Sequence, residues 1–139
     1  MRIMAIDYGD AHTGVAVSDP TGFLTGDVTT IHSRKAEVVL EELVKLVQTY
    51  QVDELVMGFP RNMDGTEGPR AELYRTFAGR VEEATGLKPV LWDERRTTVD
   101  AHRILFDAGK NGKKRKKTVD AVAASLILEG YLDHRRLRG

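Results

Sequence analysis

The sequence predicts a mixed α/β fold, and three observations point there. An apolar run, Ile3-Met4-Ala5-Ile6, ends abruptly in Asp7, and glycine-bearing turns follow it. Downstream, stretches with apolar residues three and four apart alternate with short apolar runs, the pattern of helices alternating with strands. The last of those runs, Val90-Leu91-Trp92, also ends in acids, Asp93 and Glu94.

Residues 2–6, 14–18 and 26–31 read as three strands. Gly9, Gly14, Gly22 and Gly26, with Asp19-Pro20, supply the turns, and links this short favour an antiparallel meander. Ser33 is placed to cap a helix over 34–50 whose inner face is Ala36, Val39, Leu40, Leu43, Val47 and Tyr50. Glu54-Leu55-Val56-Met57 is the fourth strand, and residues 59–68 form a polar, turn-rich loop. Pro69 suits the first turn of the next helix, which turns Tyr74, Phe77, Ala78 and Val81 inward and stops at Gly86. Residues 90–92 form the fifth strand. Thr97 and Asp100 resemble a capping box opening a helix through Ile104 and Leu105 to Gly109. A lysine-rich loop over 110–117 leads to a final helix from Thr118 to His134. The last two strands alternate with helices, so they are expected to be parallel to each other and buried. No internal repeat or long linker divides the chain, and one domain over residues 1–139 is expected.

Hydrophobic residues make up 41% of the 139, which is a globular composition, and there is no cysteine. Disulfides and thiolate metal sites are excluded. No apolar run reaches membrane-spanning length and no charged-then-apolar leader opens the chain, so a soluble cytoplasmic protein is expected. The 21 basic and 21 acidic residues cancel, but not locally. Lys110, Lys113, Lys114, Arg115, Lys116 and Lys117 form a segment with no acid. Without those six, 15 basic residues face 21 acids, a net −6. One basic segment on an otherwise acidic chain suits a polyanion tracked by charge. It holds no aromatic residue, so base stacking there is not expected.

Three acids sit against apolar structure. Asp7 ends the first strand and Glu94 the last. Asp120 heads a helical row, Ala123, Ala124, Ile127, Tyr131, whose other members are all apolar or aromatic. Functional groups of open α/β sheets gather at the carboxyl ends of strands. Three carboxylates meeting there repel one another unless a hard divalent cation joins them. Mg²⁺ or Mn²⁺ suits oxygen ligands and a substrate phosphate, which points to phosphoryl transfer. His12, His32, His102 and His134 show no ligand spacing and no obvious acid partner, and are expected at the surface or in turns.

Four motifs together carry a family resemblance. D-Y-G-x-x-x-x-G at Asp7–Gly14, G-F-P-R-N-M-D-G-T at Gly58–Thr66, D-E-R-R-T-T at Asp93–Thr98 and D-A-V-A-A-S-L-I-L-E-G-Y at Asp120–Tyr131 resemble the bacterial YqgF/RuvX family. Its members are Holliday junction resolvase-like proteins, also described as pre-16S ribosomal RNA nucleases. The resemblance spans essentially the whole chain. It implies a ribonuclease H-like fold, a five-stranded mixed sheet flanked by helices. It also implies Asp7, Glu94 and Asp120 as catalytic and metal-holding acids, and Mg²⁺ or Mn²⁺ as cofactor. Precursor ribosomal RNA or branched DNA is the implied partner. Asp93, next to Glu94, would point to the opposite face of its strand. Arg95 and Arg96, with Lys113, Lys114, Arg115, Lys116 and Lys117, are expected to position the nucleic-acid backbone. The expected activity is metal-dependent endonucleolytic cleavage at the 5′ end of pre-16S rRNA, by a monomer or homodimer. Two alternatives remain: a resolvase of branched DNA, and a non-catalytic RNA-binding factor in ribosome assembly or transcription.

Overall fold

The computed structural model describes residues 1–60, 66–93 and 112–138, with the side chains of the last segment described from Val122 to Arg135. The elements are β1 (Ile3–Asp7), β2 (His12–Ser18), β3 (Thr25–His32), α1 (Ala36–Tyr50), β4 (Glu54–Phe59), α2 (Pro69–Thr85), β5 (Val90–Asp93) and α3 (Gly112–Arg138). The helix expected from Thr97 to Gly109 lies outside the described residues, as does much of the N-M-D-G loop.

The strands make one sheet in the order β3-β2-β1-β4-β5. β1 pairs antiparallel with β2 and parallel with β4; β2 pairs antiparallel with β3, and β4 parallel with β5. The meander and the parallel pair are both as expected. β1 is central and loses both faces to the core. Met4 and Ile6 face one side, with Val15, Val17, Leu55, Met57 and Phe59, against Val39 and Leu43 of α1 and Tyr74, Phe77 and Val81 of α2. Ile3 and Ala5 face the other, with Ala16 and Val56, against Ala124, Ile127, Leu128, Tyr131 and Leu132 of α3. Each large side chain buried this way contributes roughly 1.5–3 kcal/mol. The α3 side is lined by the alanines Ala5 and Ala16, which lets a helix come close. Gly130 shows how close: a Cβ there would lie 3.3 Å from Trp92 Cζ2.

Three expectations are corrected. Ser33 does not cap α1, whose N-cap is Lys35 with no side-chain hydrogen bond. The Ser33 hydroxyl instead accepts from the Lys35 amide at 3.0 Å, a local turn that competes with helix two residues early. β5 is not buried: it has one sheet neighbour, and Val90 and Leu91 are exposed. The loop expected over 110–117 is helical from Gly112. Lysine and arginine are good helix formers, and neither glycine nor proline interrupts Lys113 to Asp120.

Two expected helix signals hold. Pro69 occupies the first turn of α2, and Gly86 closes it at φ 80°, donating its amide to the Glu82 carbonyl.

The C-terminal half of α3 is anchored at Glu54. Tyr131 donates its hydroxyl to Glu54, and Arg135 pairs with Glu54 at 2.5 Å. Glu54 is the register partner of Ile3. The C-terminal half of α3 therefore lies beside the start of β4 and against Trp92 of β5.

Candidate active site

Asp7 is the last residue of β1 and is partly buried. Alternation along β1 puts it on the face of Ile3 and Ala5, the face α3 covers. Its partner across the ladder is Gly14, which presents no side chain. Behind it the chain turns tightly: a Cβ on Gly9 would lie 2.4 Å from the His12 carbonyl oxygen. Glycine is the residue this close backbone approach permits.

The turn is braced from the opposite face. Tyr8 stacks on Phe77 with ring centroids 3.7 Å apart and planes at 5°, and meets Tyr74 edge-on at 5.5 Å. The Tyr74 hydroxyl donates to the Tyr8 carbonyl. It accepts in turn from Arg70 at 3.1 Å, and Arg70 pairs with Asp10 at 3.5 Å. Burial, and then the nearby Asp10 carboxylate, push the Tyr8 phenol above its ordinary pKa and keep it neutral. The sequence does not disclose this brace. Tyr74 and Phe77 are recognisable as an inward helical face, but nothing local ties them to Tyr8.

β5 is parallel to β1 through β4, so Asp93 closes its strand at the same sheet edge as Asp7. Trp92 shares the α3 face with Asp7, and Asp93 faces the other way, as alternation predicts. Glu94, Arg95 and Arg96 lie outside the described residues, and so does Lys110. Asp120 is on the backbone of α3, three residues before the buried Ala123, and Lys113–Lys117 are on its first turns. The side chains of these α3 residues are outside the described set. From Ala123 onward the expected inward row holds: Ala123, Ala124, Ile127 and Tyr131 are all buried. Among the described residues no three His, Asp or Glu side chains converge on one point; two of the three expected acids fall outside that set. A carboxylate such as that of Asp7 is an oxygen ligand of the kind a hard cation prefers.

Two histidines expected at the surface or in turns are a cross-strand pair. His12 and His32 are register partners at the ends of β2 and β3, with their Nδ1 atoms 2.9 Å apart. His134 packs edge-on to Trp92 at 5.6 Å. His102 lies outside the described residues.

Known proteins share this architecture. The family model described as "RuvX: Holliday junction resolvase" matches residues 1–134. A protein of Carboxydothermus hydrogenoformans named "Putative pre-16S rRNA nuclease" is 44% identical over 135 residues, covering 97% of this chain and 98% of that one. A Clostridium botulinum protein of the same name is 47% identical over 133 residues, covering 96% and 97%. Among solved structures, T. thermophilus RuvC in complex with a Holliday junction substrate has TM-score 0.58 at 11% identity, over 98% of this chain and 96% of that one. The Fowlpox virus resolvase in complex with Holliday junction DNA also has TM-score 0.58, at 13% identity over 97% and 99%. At such identities the likeness is one of fold, and the fold is the ribonuclease H-like one expected from the motifs. With a family model spanning residues 1–134 and relatives above 40% identity along nearly their whole length, this chain belongs to the RuvX family.

Proposed function

We propose that this chain is a metal-dependent endonuclease that hydrolyses phosphodiester bonds in structured RNA, maturing the 5′ end of pre-16S rRNA in the cytoplasm. The observation that carries the reading is the position of Asp7. It ends the central strand, on the α3 face, beside a turn whose close approach requires glycine. The names of the similar relatives point to the substrate.

In this reading Asp7, Glu94 and Asp120 hold Mg²⁺ or Mn²⁺. The register of α3 supports the inclusion of Asp120. Tyr131 is bonded beside the start of β1, and eleven residues of helix span roughly 16 Å, about the length of β1. In this reading the first turns of α3 carry Asp120 toward the Asp7 edge. When bound, the ion neutralises charge at the scissile phosphate and supports in-line attack by water. The protein's own part is to fix the carboxylates and to draw in the backbone with Arg95, Arg96 and Lys113 to Lys117.

The test is cleavage of a ribosomal precursor RNA with Mg²⁺ or Mn²⁺ by wild type and Asp7→Asn. The substitution keeps shape and removes charge, so cleavage is expected to vanish while RNA binding and melting temperature stay close to wild type. Equal cleavage by the two proteins overturns the proposal and leaves the non-catalytic RNA-binding role. The family description favours a second reading, resolution of four-way DNA. Two symmetric cuts need two sites, hence a dimer. A monomer in sedimentation that leaves four-way DNA uncut rules this out.

A further inference from the structure

We propose that His12 and His32 form a binding site for a first-row transition ion of the copper and nickel class, separate from the acids assigned to Mg²⁺ or Mn²⁺. The two residues are directly opposite in the β2–β3 ladder, and their Nδ1 atoms are 2.9 Å apart. At this distance one nitrogen donates its proton to the other. When that proton sits instead on Nε2 of its own ring, the other neutral tautomer, both Nδ1 lone pairs are free for a metal ion, held by paired strands rather than by a loop.

The spacing selects a geometry. With nitrogen–metal bonds of roughly 2.0–2.1 Å, nitrogens 2.9 Å apart subtend about 90° at a shared ion. These are adjacent corners of a square-planar or octahedral shell. A tetrahedral ion with the same bonds needs the nitrogens roughly 3.3 Å apart. Square and tetragonal nitrogen sites suit Cu²⁺ and Ni²⁺, while Mg²⁺ and Mn²⁺ prefer oxygen. His32 is exposed, so water completes the shell. Two strands that are already paired pre-organise the ligands, which lowers the entropic cost of binding.

Location makes the site more than a surface chelate. Alternation puts His12 and His32 on the same sheet face as Gly14 and Asp7. His12 is the diagonal neighbour of Asp7 across the ladder, a separation of about 7–8 Å between backbones. Gly14, the residue between them in register, contributes no side chain. An ion on the pair would stand beside the Asp7 edge without sharing its ligands.

The experiment is a calorimetric titration of the full chain with Ni²⁺ in a weakly coordinating buffer near neutral pH. Cu²⁺ electron paramagnetic resonance on the same protein counts the coordinated nitrogens. One equivalent is expected, with two nitrogens in the plane. His12→Ala and His32→Ala are each expected to weaken Ni²⁺ binding by at least about tenfold, the loss that follows even when only a group behind a metal ligand is removed. His134→Ala is expected to change nothing. Far-UV circular dichroism shows that each variant is folded. Unchanged Ni²⁺ affinity in both His12→Ala and His32→Ala, or a Cu²⁺ spectrum with fewer than two nitrogens, overturns the site. The result is independent of cleavage: Asp7→Asn can lose activity and still bind Ni²⁺, and the histidine variants can lose Ni²⁺ and still cut RNA.

Discussion

Thr13 is a polar residue in an apolar place. It is fully buried in β2, opposite Ile31, on the face packed by α1 and α2, and its hydroxyl finds no partner among the described residues. An unmet buried hydroxyl costs about 1–3 kcal/mol, so Thr13→Val is expected to stabilise the protein by about 1 kcal/mol. Urea unfolding followed by circular dichroism measures this, and an unchanged or lower midpoint refutes it. Residues of this kind show what a sequence can disclose. The strand that ends in Asp7 is legible because an apolar run stopping at a carboxylate is itself unusual. The His12–His32 pair is not, because twenty residues separate the two and only the β2–β3 register brings them together. Strands placed at 14–18 and 26–31 leave both histidines just past their ends. Thr13 likewise looks like part of the turn at Gly14, although β2 begins at His12 and carries it into the core.

The helices divide by how clearly they announce their ends. α2 is legible from Pro69 to Gly86 because both signals act through the backbone: proline gives up an amide that the first turn cannot use, and glycine accepts the left-handed closure. α3 is legible only from its middle. Its alanines, Ile127 and Tyr131 mark the inward row, but the run Lys113–Lys117 suits a solvated loop or a helix with equal ease. The structure resolves the ambiguity in favour of helix. α3 is the sole described helix on its face of the sheet, and Leu128 is fully buried beneath it. Leu128→Ala is expected to cost about 2–5 kcal/mol, the range for a leucine truncated in a packed core. Thermal unfolding of the variant should show a correspondingly lower midpoint; a shift within error would mean that α3 contributes little to stability.

For the whole molecule, zero net charge hides a local basic excess in the sequence. The chain outside its basic segment is net −6, and the basic residues at the head of α3 stand at the positive end of a helix dipole. Cations there are mildly unfavourable, and a bound polyanion relieves both effects. Changing Lys113, Lys114, Arg115, Lys116 and Lys117 together to Gln is expected to weaken RNA binding to all sequences alike. It should also flatten the logarithmic salt dependence by roughly 0.7–0.9 for each phosphate that is no longer neutralised. Filter binding between about 50 and 200 mM salt provides the measurement. An unchanged slope would place the nucleic-acid interface elsewhere on the surface.

Gly130 and Trp92 meet where α3 lies on β5, and Trp92 is the only tryptophan in the chain. Its ring is flanked edge-on by Tyr131 at 5.9 Å and His134 at 5.6 Å, both on α3. The protein thus carries its own optical probe at the seam joining the last helix to the edge strand. Ultraviolet emission from this indole reads the separation of those two surfaces, so a folding trace recorded by light can be assigned to a single physical event without labelling the molecule.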